Sequence, residues 1–167
     1  LHEALVALGN STANKRVAQI ARALSKVSGT TKVKVVKNLT ADNSGKEVSG
    51  KFDPKTNTIF LDADTGINSH VILHEMTHAA TTEALANKSS REVKKLTVLF
   101  NSVKGMLDTA YGAQNLDEFV AETFSNPEFQ QKLAGMNYKN TNGLQTFFNT
   151  IGNFVRKLLG MQTKDIN

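Results

Sequence analysis

Between Val71 and Ala80 the chain reads VILHEMTHAA, and this stretch sets the tightest limit on what the chain can fold into. The wider segment NSHVILHEMTHAATTEALAN opens with cap-forming Asn68 and Ser69 and spaces Val71, Ile72, Met76, Ala79 and Ala80 as the apolar face of a helix. Residues four apart on a helix stand on one face a turn apart, so His74 and His78 aim two imidazoles at one point. Glu75 is rotated by about 100° around the axis from His74, beside that point and not on it. Chance would place the pattern HExxH in only about 0.5% of chains with this content of histidine and glutamate. The fold must therefore give this helix a polar partner for its imidazoles as well as an apolar one for its core face.

Two imidazoles in this arrangement suit a metal ion. The chain has no cysteine, so disulfides and thiolate ligands are excluded and a metal must be held by His, Asp or Glu. Zinc accepts nitrogen and oxygen ligands in a tetrahedron, and catalytic zinc takes three protein ligands with one position open. A glutamate beside that open position is placed to act as a general base. The extension HExxHxxGxxH, which would supply a third histidine, is absent, since AATTEALAN follows His78. His2 lies near the start of the chain and is a weak choice. Downstream, NLDEFVAETFSNPEF offers Asp117, Glu118 and Glu122. Glu118 and Glu122 are again four apart, so one can ligate while the other accepts a hydrogen bond from a ligand histidine. Phe119, Val120 and Phe124 crowd these acids, which places at least one near the core. A buried carboxylate without a cation is costly, and zinc would offset that cost.

The remaining pattern places these segments in an α+β fold. Residues 12–27 carry Val17, Ile20, Ala21, Leu24 and Val27 at helical spacing, with Gly29 as the terminating glycine. TKVKVVK reads as a strand, followed by the polar loop LTADNSGKEVSG. A hairpin is expected between strands at 48–52 and 58–62, turned by DPKTN. Helices follow over residues 69–86, 89–109, from Asn115, over NPEFQQKLAG, and over GLQTFFNTIGNFVRKLLG. The phenylalanines of this last segment are read as core residues. The expectation is one domain over residues 1–167, with a small antiparallel sheet packed on a helix-rich, zincin-like body that carries the HExxH helix.

No apolar run approaches the ~20 residues needed to span a bilayer. The start, LHEALVALGN, lacks the basic residues of a signal peptide, and the chain does not begin with Met. These features lead to the expectation of a domain cut from a longer polypeptide, with its localisation open and secretion or virion delivery among the options. The net charge of +5 gathers in KSSREVKK and RKLLGMQTK. No aromatics interleave those basic residues, so solvated helix faces are favoured over a nucleic-acid groove.

HEMTH followed some forty residues later by DEFVAETF resembles the gluzincin zinc metallopeptidases, in particular the catalytic domain of anthrax lethal factor and related phage-borne and toxin-borne peptidase domains. The likeness covers Ile59 to Phe124. It implies Zn2+ as the cofactor and Glu118 as the third ligand, with Glu122 behind a ligand histidine. It further implies that Tyr111, seven residues before Glu118, assists the oxyanion. In the family the strand before the HExxH helix is an edge strand that receives extended substrate, which implies substrate contacts along TIFLDA, at Phe60 among others. His70, one turn before His74, is a second candidate for substrate binding. The resulting expectation is a zinc-dependent endopeptidase acting on a peptide or protein substrate, with Glu75 as base. The rival is an inactive, zinc-stabilised binding or structural module of a larger protein. A nucleic-acid binder driven by net charge ranks last.

Overall fold

The computed structural model describes residues 1–11, 14–41, 45–107, 111–136, 152, 153 and 157. Its Cα trace divides into two compact units, 1–80 and 81–167, with the division falling inside one continuous helix, after Ala80. Mixed α and β structure is observed, mostly helical, with six α-helices and three strands among the described residues.

The first unit begins with a helical hairpin. Helices α1 (His2–Ser11) and α2 (Lys15–Ser25) pack together. Asn14 caps α2 by accepting from the backbone N–H groups of Arg16 and Val17. The hairpin closes through the His2 ring Nδ1 against the Ser25 carbonyl at 2.8 Å and through Arg22, whose guanidinium donates to the Gly9 carbonyl. Gly9 is required by this approach, because a Cβ there would lie 2.7 Å from Arg22 Cγ. The expected helix at 12–27 is thus present in shorter form, while α1 was not anticipated. Gly29 does not end α2 in a left-handed conformation. The helix closes at Lys26, whose N–H donates to the carbonyls of Ala23 and Leu24.

Three strands follow: β1 (Lys32–Val36), β2 (Gly50–Asp53) and β3 (Thr58–Asp62). The expected hairpin forms, with Gly50 opposite Leu61 and Asp53 opposite Thr58 in antiparallel register. Its turn is fixed by Asp53, whose carboxylate accepts from the Thr56 hydroxyl and the Lys55 N–H; these two bonds hold its pKa below the ordinary value. Asn57 completes the turn at φ 47°. The expected antiparallel sheet is corrected, however. β1 pairs with β3 in parallel, Lys32 opposite Thr58 and Val36 opposite Asp62, so the sheet is mixed with order β1-β3-β2. β3 is therefore the central strand and not an edge. Both its backbone edges are engaged, and an extended peptide cannot add along TIFLDA.

The end of β3 is tied down by Asp62. Its Oδ1 accepts from the N–H groups of Asp64 and Thr65 and from the Thr65 hydroxyl, and its Oδ2 accepts from the Leu39 N–H. These bonds favour the ionised form and lower its pKa to about 2. Helix α3 (Ser69–Ala86) then starts from Asn68, whose side chain accepts from the Val71 N–H at 3.0 Å. From Leu73 to Thr77 five successive residues are buried, so this segment is enclosed around its whole circumference and not along one stripe alone.

In the second unit, α4 (Arg91–Lys104) is capped by Ser90, and a single 3-10 turn (Tyr111–Ala113) leads to α5 (Leu116–Ser125) and α6 (Pro127–Ala134). Their apolar faces meet in one cluster that includes Leu85, Val93, Leu96, Phe100, Val103, Leu107, Phe119, Val120, Phe129 and Leu133. Phe119 is fully buried at its centre, with its ring 5.1 Å from that of Phe100 and 6.0 Å from that of Phe129. The part of the expected α4 at Asp108 and Thr109, and the expected helix GLQTFFNTIGNFVRKLLG apart from Gly152, Asn153 and Lys157, lie outside the described residues.

Candidate metal centre

Helix α3 presents its histidines as the four-residue spacing requires. The Nε2 atoms of His74 and His78 are 3.1 Å apart, with ring centroids separated by 4.8 Å. His74 and Glu75 are buried, 8% and 7% exposed, and His78 is half-buried. The His70 ring stands perpendicular to that of His74 at 6.0 Å, and His70 itself is exposed.

Helix α5 presents the acids. Asn115 caps it, accepting from the Glu118 N–H at 2.9 Å, so Asp117 and Glu118 fall in the first turn, where the helix dipole favours negative charge. Glu118 is half-buried and Glu122, one turn on, is only 5% exposed. Asn126 donates from Nδ2 to Glu122 Oε2 at 2.8 Å. The same side chain caps α6, its Oδ1 accepting from the N–H groups of Glu128 and Phe129. One amide thus starts one helix and holds a buried acid of the preceding one. Asn126 was not singled out in the sequence, although Asn before Pro127 is itself a capping signal.

Two groups of metal-ligating side chains come together among the described residues. One ligand atom each of His74, His78 and Glu118 lies within 4.8 Å of the others, and the same holds for His70, His74 and Glu122. Of the three candidate acids, Glu118 and Glu122 join the histidines and Asp117 does not. Tyr111 stands in the 3-10 turn before α5 and is 51% exposed. Phe60 is half-buried in β3, with the ammonium groups of Lys34 and Lys51 at 5.9 and 5.8 Å from its ring centre, and belongs to neither group.

The donor set fits a zinc ion. Two zinc–nitrogen bonds of about 2.0–2.1 Å meeting at a tetrahedral angle hold their nitrogens about 3.3 Å apart. The observed 3.1 Å between the two Nε2 atoms is close to that bite. Glu118, on the first turn of α5, offers a carboxylate oxygen within 4.8 Å of the two imidazole nitrogens. The group of His74, His78, Glu118 and Glu122 can therefore hold a metal ion.

A separate cavity of about 300 Å³ lies over the end of β3, lined by Asn38, Glu47, Ser49, Asp62 and Asp64 among others. Asp62 directs both its oxygens to backbone and hydroxyl donors, so this site is a loop clamp.

Comparison with known proteins gives no match to a family model, to a curated protein or to a solved structure. The functional reading therefore rests on the side chains themselves.

Proposed function

We propose that this protein is a zinc-dependent endopeptidase of the gluzincin type, with His74, His78 and Glu118 as the metal ligands. The observation that carries this reading is that one ligand atom each of His74, His78 and Glu118 lies within 4.8 Å of the others, while Glu75 is buried on α3 beside the two histidines. Zinc in this position supplies Lewis acidity toward water and toward a peptide carbonyl. Glu75, one residue along α3 from the first ligand, takes a proton from the attacking water and returns it to the departing amine. Tyr111 donates its phenol O–H to the developing oxyanion. Glu122 accepts the N–H of a ligand imidazole and fixes its orientation, and Asn126 holds Glu122 in turn. The half-exposed Tyr111 ring is accessible to an incoming chain.

The test pairs two substitutions. Glu118→Ala should lower zinc stoichiometry, measured by elemental analysis of purified protein, from about one per chain toward zero. Glu75→Gln should keep the metal and lower cleavage of a peptide library by about 10²–10⁴-fold, the range that general-base catalysis supplies. Wild-type cleavage by Glu75→Gln refutes the assigned base. Stoichiometric zinc in wild-type protein with no cleavage of any peptide is the result expected of a zinc-stabilised module instead.

A further inference from the structure

Gly50 opens β2, the strand that pairs with only one neighbour in the described sheet. Its φ lies outside the left-handed region, so its backbone is one that any residue can adopt. What the position requires is space. A Cβ built on Gly50 would lie 2.7 Å from Val71 Cγ1, 2.8 Å from Glu75 Cγ and 3.0 Å from Glu75 Oε1. Carbon–carbon contacts are favourable near 3.5–4.0 Å, so even a methyl group must displace the Glu75 side chain or the first turns of α3. Glu75 is buried within the stretch of α3 that is enclosed on all sides, which leaves it few alternative rotamers.

We infer that Gly50 is a positioning residue: the bare backbone at the start of β2 forms one wall of the slot that holds the Glu75 carboxylate. This rests on the peptidase reading for its functional consequence, but its geometric content does not. A general base works only within hydrogen-bond reach of the proton that it takes, and a misplacement of about 1 Å can cost on the order of 10²-fold in rate. Alanine at position 50 is compatible with the backbone and with a strand, so its effect comes from crowding against Val71 and Glu75 and not from backbone strain. The three nearest atoms that it would meet belong to Val71 and Glu75, and none to the proposed ligands His74, His78 and Glu118.

The experiment is Gly50→Ala, with Gly29→Ala as control, since a Cβ on Gly29 meets nothing within 4 Å. Three quantities are measured: the 13C chemical shift of the Glu75 carboxyl in metal-free protein at one fixed pH, zinc stoichiometry, and kcat and KM on a cleaved peptide. Gly50→Ala should move the Glu75 resonance, keep the zinc, and lower kcat by about ten- to a hundredfold with KM little changed. Gly29→Ala should leave all three at wild-type values. In a Glu75→Gln background, Gly50→Ala should lower the residual rate no further, because the base it displaces is already gone. If Gly50→Ala does not fold, the same measurements are made on Gly50→Ala with Val71→Ala, which removes the other crowded partner. An unmoved Glu75 resonance overturns the inference, as does an equal rate loss with and without Glu75. If wild-type protein binds zinc but cleaves nothing, the peptidase reading falls, and the Glu75 resonance still decides the role of Gly50.

Discussion

Replacing Phe119 by Ala tests whether α5 is held by its core or by the acids it carries. Phe119 has no exposed surface and packs against the rings of Phe100 and Phe129. Truncating a buried phenylalanine costs about 3–5 kcal/mol, in which each aromatic pair contributes about 0.5–1.5 kcal/mol beyond the area it buries. A chain of this size has roughly 8–25 kcal/mol of total stability, so the variant should still fold. At about 2–4 °C per kcal/mol for domains of 150–250 residues, the melting temperature should fall by roughly 6–20 °C. The assay is thermal unfolding followed by circular dichroism, with chelator present so that metal does not contribute. Phe119→Leu keeps most of the apolar volume and should lose less than about half as much. A drop smaller than about 2 °C for Phe119→Ala would show that this ring does not anchor the helix, and the burial argument for the position of Glu118 would fail with it.

Zinc should raise the melting temperature of the wild-type protein by roughly 5–11 °C at a hundredfold excess over its dissociation constant, from about 2.7 kcal/mol of linkage, and His78→Ala should abolish most of that rise in the same scan. Asn126→Ala should cost roughly 2–4 kcal/mol in denaturant unfolding, about 1 from the lost α6 cap and about 1–3 from the donor withdrawn from buried Glu122; a loss below 0.5 would refute the double role. Asp62 has its pKa lowered to about 2 from an ordinary value near 3.9. Its contribution is therefore complete above about pH 4 and is lost as pH falls through about 2, so Asp62→Asn should flatten the acid limb of melting temperature against pH in that window. An unchanged acid limb would show that the clamp does not titrate with folding.

Helix α3 and its histidine pair were legible because one local rule, the four-residue repeat, fixes both the element and the direction of its imidazoles. The hairpin was legible for a similar reason, since Asp53 and Asn57 specify their turn through bonds within five residues. The parallel pairing of β1 with β3 was not, because alternation marks a strand without naming its neighbour. A signal was present all the same. Ile59, Phe60 and Leu61 form an unbroken apolar run, the mark of a central strand, whereas KVKVV alternates, and the structure buries or half-buries all of β3 while β1 is exposed at its first four residues. Helix α1 gave little pattern to read, since it buries only Leu5 and Gly9. In the site, periodicity could not choose between Glu118 and Glu122, which share one helix face. The fold separates them by placing Glu118 with His74 and His78, and Glu122 with His70 and His74. Gly50 had no sequence signature, since the contact that gives it meaning lies 25 positions along the chain.

The joint between α5 and α6 is a single residue long. Asn126 closes one helix, its N–H donating to the Glu122 carbonyl, and opens the next. Such a splice has no slack. Adding or removing one amino acid there would rotate α6 by roughly 100° against α5 and carry the amide away from Glu122. Natural length variation in this protein should accordingly gather in the polar connection between β1 and β2 and leave the Ser-Asn-Pro junction the same length wherever Glu122 is kept.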